Sequence, residues 1–378
     1  MDEWILRQEE IEPLLEGLAI LGTGGGGSPE WGRQILENEF RQGRMMQVID
    51  PDALDDEAQV ASGGIMGSVK ALEAIPFGEL LQQWESDFVL MRAFEVMAEL
   101  LGRPIEAVVP FEVGGLNTPV ILSLCARLGI PTIDGDALGR SAPETQMTSF
   151  LGHGVSLTPM PLVDARGNAV VVLEQANPVY ADELGRWVVT RGGGLGGNSH
   201  YPMSGAQLKR TVVPNTISAA LRIGKVVLGA RQSGDDPVRA AAQALNGRWL
   251  HAGRIQDMQE KEQDGFYLTV VSLEGSGQFQ GQPAELTIMN EAMLLRLNSR
   301  PAVIFPDLIC MLNPASGRGV MSIELRPGME IATLGVPCHA RLRAAAQSES
   351  GRSAFAPARF GYPEMDYQPM EELQYDQI

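Results

Sequence analysis

Glu106-Ala107-Val108-Val109-Pro110, then Phe111-Glu112-Val113-Gly114-Gly115-Leu116-Asn117, then, one helix length on, Pro131-Thr132-Ile133-Asp134-Gly135-Asp136: the spacing of these runs decides the fold. The first is apolar and β-branched and reads as a strand, and the second, with its paired glycines, reads as a loop. Thr118 can cap a helix with Pro119 in its first position, the apolar residues to Leu128 supply the helix, and Gly129 stops it. Pro131 to Ile133 is then a second strand. Strand, helix and strand within about thirty residues make a βαβ unit, whose strands run parallel.

That topology carries a functional expectation, because ligands of open parallel sheets bind beyond the carboxyl ends of the strands. Glu112, Gly114, Gly115, Asn117, Asp134 and Asp136 follow those ends directly, and Gly139-Arg140-Ser141-Ala142-Pro143-Glu144 extends the same rim. Clustered carboxylates can hold a divalent cation or include one of raised pKa suited to general-base work. Asp134, Asp136 and Glu112 are thus the candidate catalytic groups and the candidate metal ligands. The structural alternative is that such acids cap helices and satisfy loop amides. Arg140 either pairs with Asp136 or Glu144 or holds an anionic substrate oxygen bidentately.

Upstream, Gly22-Thr23-Gly24-Gly25-Gly26-Gly27-Ser28-Pro29 precedes apolar residues at helical spacing, Trp31, Ile35, Leu36 and Phe40. Ser28 caps that helix and Pro29 begins it, so the amides of Gly24 to Gly27 are expected to face an anion or a developing negative charge. The stretch is no dinucleotide fingerprint, since Ile11, Leu14, Leu15, Leu18 and Leu21 before it read as a helix. It is no P-loop, since no Lys-Ser or Lys-Thr closes it. Met46 to Ile49 and Gln59 to Ala61 read as strands, Ser62 to Ser68 as a glycine-rich turn, and Phe88 to Leu101 as a buried helix ended by Gly102.

Downstream, Ala169 to Glu174 reads as a strand and Val179 to Thr190 as a helix. Arg191-Gly192-Gly193-Gly194-Leu195-Gly196-Gly197-Asn198-Ser199-His200 is too glycine-rich to be rigid alone, and it places His200 where it can close over a site. His153, flanked by Gly152 and Gly154, is the next histidine of interest. A helix from Gly205 to Leu228 must kink or divide at Pro214. From Arg248 to Leu342 short strands dominate, and the tail from Ser348, acidic and dotted with Pro357, Pro363 and Pro369, reads as an extended strap or as partly disordered. The expected architecture is therefore an α/β class: an N-terminal layered α/β domain with a parallel βαβ unit over 1–165, a C-terminal domain of helices then β-rich structure over 166–345, and an acidic tail over 346–378.

The 378-residue chain is 44% hydrophobic and 20% charged, as suits a globular protein that buries a substantial core. Its net charge of −18 repels phosphate backbones and anionic lipid, which argues against nucleic acid and membrane surfaces as partners. Cys125, Cys310 and Cys338 are widely spaced, without the CxxC pairs of a structural zinc site. The start has neither the basic nor the apolar region of a signal peptide, and no run of about 18 apolar residues offers a membrane span, so the cytoplasm is the expected location.

The run Leu21 to Pro29, the Glu112 to Asn117 loop, the segment Asp134 to Glu144, Phe305-Pro306-Asp307-Leu308-Ile309 and Leu325-Arg326-Pro327-Gly328 together resemble the S-methyl thiohydantoin desulfurase-like family, which accompanies hydantoinase/oxoprolinase proteins. The resemblance runs from about residue 10 to residue 345. Members commonly carry an aspartate after the four glycines, where this chain has Ser28. The resemblance implies an N-terminal α/β domain, a β-rich C-terminal domain and hydrolysis of a hydantoin-like or S-methyl thiohydantoin ring. In that reading Asp134 or Asp136 activates water, directly or through a divalent metal ion. The glycine amides stabilise negative charge, and Arg140 orients a substrate also touched by Gly114, Gly115, Asn117, Glu144 and His200. The alternative is a non-catalytic or nucleotide-binding partner subunit of a hydantoinase/oxoprolinase-type enzyme. Such a protein is a candidate partner, and so is a second copy of the chain.

Overall fold

A computed structural model describes residues 3–67, 76–177, 179–263 and 266–373. Ser68 and the last five residues of the tail lie outside them. The first ten strands are β1 (Glu3–Ile5), β2 (Gln47–Ile49), β3 (Gln59–Gly67), β4 (Ala107–Pro110), β5 (Thr132–Ile133), β6 (Gly135–Asp136), β7 (Met160–Asp164), β8 (Ala169–Val172), β9 (Leu195–Ser204) and β10 (Val213–Pro214). They are followed by β11 (Arg248–Gln263), β12 (Phe266–Gly275), β13 (Pro283–Met289), β14 (Glu291–Leu297), β15 (Arg300–Ile304), β16 (Leu308–Leu312) and β17 (Glu330–Val336).

Eight of these form one mixed sheet in the order β1-β2-β5-β4-β3-β9-β7-β8. The βαβ expectation holds: β4 and β5 are adjacent and parallel, and β2 and β3 flank them in the same sense. The second sheet, β15-β14-β13-β12-β11-β17-β16, is antiparallel throughout, which makes the C-terminal half β-rich. β6 and β10 make a short antiparallel pair of their own.

The helices are α1 (Ile11–Leu21), α2 (Pro29–Arg41), α3 (Phe77–Trp84), α4 (Val89–Leu101), α5 (Asn117–Leu128), α6 (Tyr180–Arg191), α7 (Gly205–Thr211), α8 (Thr216–Ser233), α9 (Pro237–Ala244), α10 (Ala340–Gln347) and α11 (Glu349–Ala354). Their ends follow local chemistry. Ser28 accepts from the Trp31 amide at 3.4 Å with Pro29 in the first position of α2. Gly102 and Gly129 close α4 and α5 in the left-handed conformation that glycine adopts without strain. Pro214 divides the long helical pattern into α7 and α8. Thr118 does not cap α5; it lies inside the helix, and its hydroxyl accepts instead from the Gly114 amide at 3.2 Å. Among the described residues no helix is long and apolar enough to cross a membrane.

Two glycine-rich stretches differ from the sequence expectation. Ser62 to Gly67 is the second half of β3 rather than a turn, and residues 195–204 are β9 rather than a closing loop. Each needs the other: Gly63 pairs with Ser199 and Gly64 with Asn198. A Cβ on Gly63 would lie 2.3 Å from Asn198 O, and one on Gly197 would lie 2.6 Å from Leu90 Cα, so α4 rests directly on the β9 backbone. The glycines thin the sheet where a helix presses on it. The start of the tail also departs from a featureless strap. Ser348 caps α11 through the Gly351 amide at 3.0 Å, and Phe355 and Phe360 pack on Phe305 with ring centroids 5.6 and 6.5 Å away.

Candidate functional site

Beyond the end of β4, side chains from both halves of the chain surround a cavity of about 160 Å³. Its floor is the β3–β9 pair, with Asn198 and His200 on β9. Asn198 Oδ1 accepts from the Gly64 amide at 3.0 Å, which fixes its side-chain amide. His200 is 1% exposed and stands edge-on to Phe111 and Tyr201, with centroids 5.5 and 5.2 Å apart. Burial pushes its imidazole down to about 3, so it is neutral, and Nδ1 has no hydrogen-bond partner among the described residues.

Glu112 enters from the loop after β4. It is buried, accepts from the Ala142 amide at 2.7 Å on Oε2 and from Asn117 Nδ2 on Oε1, and Asn117 lines the same cavity at the start of α5. Burial holds the Glu112 carboxyl well above its ordinary value, reinforced by repulsion from Glu291. The opposite wall is the 143–145 loop, tied to α6: Asp182 accepts from the Thr145 amide at 3.0 Å and from Arg186 Nε at 2.7 Å. Glu144 completes this wall. It is 2% exposed, and its carboxylate is held by Arg359 Nε at 2.7 Å and Gln146 Nε2 at 2.6 Å.

The second half contributes Asn290, which stands at a left-handed φ of 67° in the turn between β13 and β14, and Glu291 behind it. Glu291 is buried against Gly25: a Cβ on that glycine would fall 1.7 Å from Glu291 Oε1. Its other oxygen, Oε2, has no partner among the described residues, and burial raises the carboxyl to about 7. Sequence reasoning missed Glu291, Asn290, Asn198, Asp182 and Arg186. For Glu291 a signal existed, an acid inside the apolar run Ile288-Met289-Asn290-Glu291-Ala292-Met293-Leu294.

The glycine loop works differently from the expectation. The amides of Gly24, Gly26 and Gly27 are already donated to Val320 O, Gly22 O and Gly25 O at 3.1, 2.8 and 2.8 Å. Only Gly25 of the four keeps an amide without a partner among the described residues. Gly25 and Gly27 line the cavity, whereas Gly24, Gly26, Gly114 and Gly115 do not. Gly26 and Gly114 let two loops touch backbone to backbone, a Cβ on Gly114 falling 2.4 Å from Gly26 O. Close packing, more than anion binding, accounts for the run.

Asp134, Asp136 and Arg140 are also placed away from the cavity. Asp134 Oδ1 accepts from the Ile217 and Ser218 amides at 3.0 Å each, capping α8 from outside that helix. Asp136 accepts from the Val113, Leu138 and Gly139 amides at 2.8–3.1 Å, although burial still lifts it to about 7. Arg140 donates to Ser141 O, Asp307 O and Ala292 O at 2.7–3.0 Å, bolting the first half to the second, and burial lowers its pKa. It makes no ion pair with Asp136 or Glu144. Among the described residues no three His, Cys, Asp or Glu side chains are grouped to hold a metal ion. All three cysteines are free, and burial pushes their thiols up to about 12, while His153 lies exposed outside the cavity lining.

The geometry reverses the expectation for Asp134. Asp134→Ala removes the cap on α8 and is expected to lower stability by about 0.5–2 kcal/mol while leaving ligand binding at the cavity unchanged. Thermal unfolding and ligand titration of the same variant check both halves of that statement.

Residues 9–174 match the family described as S-Me-THD-like, N-terminal domain, and residues 176–370 match S-Me-THD-like, C-terminal domain. The chain belongs to the S-methyl thiohydantoin desulfurase-like family. An X-ray crystal structure of a protein from Chromobacterium violaceum has the same fold, with a TM-score of 0.75 at 24% identity over 97% of this chain and 100% of that one. No curated protein matches the chain. In this member of the family the cavity draws Glu112, Asn117 and Glu144 from the N-terminal matched region, and Asp182, His200 and Asn290 from the C-terminal one.

Proposed function

We propose that the chain is a hydrolase of a small hydantoin-like ring, an S-methyl thiohydantoin in the form the family name indicates, and that Glu112 handles the protons. The observation that carries the reading is the buried Glu112 carboxyl in the cavity wall, raised by burial and by Glu291, beside a neutral His200. A carboxylate whose pKa is raised has more driving force for proton removal than an ordinary one. When the two glutamates hold one proton in total, one carboxylate is left able to accept a proton.

In this mechanism Glu112 takes a proton from water as its oxygen bonds to the ring carbon bearing sulfur. The C=N bond becomes single, and Glu112 returns the proton to the ring nitrogen. The adduct then loses its hydroxyl proton to Glu112 as the C–S bond breaks, and methanethiolate leaves with that proton. The products are a hydantoin and methanethiol, and atoms and charge balance. Gly25 N–H, Asn117, Asn198 and neutral His200 supply donors and acceptors of the kind a flat ring of alternating C=O and N–H groups can use. The cavity of about 160 Å³ suits such a ring and is smaller than the ~300–1,000 Å³ of drug-sized sites.

A nucleotide-binding subunit, the other class considered, has less support. Three of the four glycine amides are engaged, and Glu112, Glu144 and Asp182 would face the phosphates. Cytoplasmic location, self-association and a hydantoinase-type partner belong to the same proposal and add nothing to its chemistry. The test is purified protein with S-methyl thiohydantoin alone, thiol release and hydantoin formation being followed together. Equal amounts of both products without nucleotide are expected. Absence of turnover, or turnover only with a hydantoinase-type subunit and ATP, would overturn the reading.

A further inference from the structure

The tail crosses the molecule to reach the cavity wall. Arg359 stands 215 residues after Glu144, yet its guanidinium holds that buried carboxylate through Nε at 2.7 Å and again through Nη2. The segment that delivers it is fastened to the second sheet on both sides. Before it, Phe355 stacks on Phe305 with centroids 5.6 Å apart. After it, Tyr362 Oη lies 2.7 Å from Thr287 Oγ1, and the buried Asp307 carboxylate accepts from Tyr367 Oη at 3.1 Å and the Met370 amide at 2.7 Å. Nothing about packing Phe355, Phe360 and Met370 into the second half requires an arginine to point the other way.

We infer that the C-terminal strap is a working part of the site, and that Arg359 is a positioning residue fixing the Glu144 carboxylate in the cavity wall as an acceptor for ring N–H groups. The inference rests on the hydantoin-type reading for the ligand, but not for the geometry. Glu144 receives three hydrogen bonds, two of them from Arg359 and one from Gln146. A guanidinium gripping both oxygens sets the carboxylate plane, which a single amide donor cannot do. Without Arg359 a nearly buried charge loses most of its donors, and either the side chain turns or the 143–145 loop opens toward water.

The test uses the full chain with Arg359→Met, which keeps apolar bulk and removes the donors, and with Arg359→Lys, which keeps the charge without the fork. Hydantoin is the binding probe and S-methyl thiohydantoin the substrate. Arg359→Met is expected to raise the Kd for hydantoin and the KM by on the order of 10-fold or more, with kcat changing less and Arg359→Lys intermediate. Amide hydrogen exchange on the ligand-free protein should rise in 141–150 but not in 107–110. Wild-type affinity together with wild-type exchange in a folded Arg359→Met variant would overturn the inference. If the wild-type protein neither binds nor converts the ring, the functional reading fails by itself. The exchange experiment then still decides whether Arg359 positions the wall: unchanged exchange in 141–150 overturns it, and increased exchange supports it.

Discussion

Glu112→Gln should reduce turnover of S-methyl thiohydantoin on the order of 10²-fold or more, the range for loss of a positioned base. The substitution preserves length and one oxygen acceptor, and the protein should keep its circular-dichroism spectrum and cooperative unfolding. The pair with Glu291 adds a pH signature. Glu291 is raised by burial from 4.5 to about 7, with Arg140 and Arg186 opposing the rise. Glu112 is raised as well, by burial first and then by repulsion from Glu291 and Asp136. Turnover should therefore climb as pH passes through neutrality and the pair gives up its first proton. Stability has the opposite slope: an unfolded glutamate ionises near 4.5 and the folded one near 7, so the folded state holds the extra proton between those values and loses stability as pH rises across them. Glu291→Gln should flatten that slope and move the activity rise to lower pH. A Glu112→Gln variant with full turnover would remove Glu112 from the mechanism.

The neighbouring glycines Gly25 and Gly26 should respond to alanine in opposite ways. Gly25→Ala puts a methyl group 1.7 Å from Glu291 Oε1, the far end of a side chain, so the carboxylate moves and the backbone need not. A folded protein with turnover lowered on the order of 10²-fold is expected, as for a misplacement of about 1 Å beside the reacting group. Gly26→Ala instead meets Gly114 Cα at 2.7 Å and Gly22 O at 2.9 Å, backbone that cannot step aside. Overpacking of this kind costs about 1–3 kcal/mol. Thermal unfolding and steady-state kinetics on both variants separate the two effects. A Gly25→Ala variant as active as the wild type would remove Glu291 from the site.

What was legible in the sequence follows from which interactions are local. The β4–α5–β5 unit was readable because Val108, Val109, Gly129 and Ile133 announce their roles within a few residues of themselves. The rim after β4 was readable as a place where Glu112, Asn117 and Glu144 gather, and all three line the cavity. Asp134 and Asp136 carried the same signal, a carboxylate after a strand, and yet serve amides at Ile217, Val113 and Gly139. Nothing within ten residues of Asp134 reveals that the start of α8 will arrive beside it. Glu291 and Arg359 were hidden for the same reason: one lies in an apolar strand, the other in a tail, and tertiary contacts alone bring them to the first half. The glycines misled because close backbone approach and anion binding ask for the same residue.

β9 has a consequence for how this protein can be made and divided. The two matched regions meet at residues 174 and 176, yet the strand joining β3 to β7 is residues 195–204, downstream of that border. On the ribosome, the first 174 residues emerge with β3 bare along one side and the β7–β8 hairpin unattached. Such open edges are templates for pairing with another chain, and they persist until the next thirty residues have been added. The border between the matched regions therefore falls within one hydrogen-bonded sheet. A gene fragment cut there would yield a half-finished sheet without the β9 floor of the cavity, and a fragment extended through Ser204 is the shortest that can bury β3 on both sides.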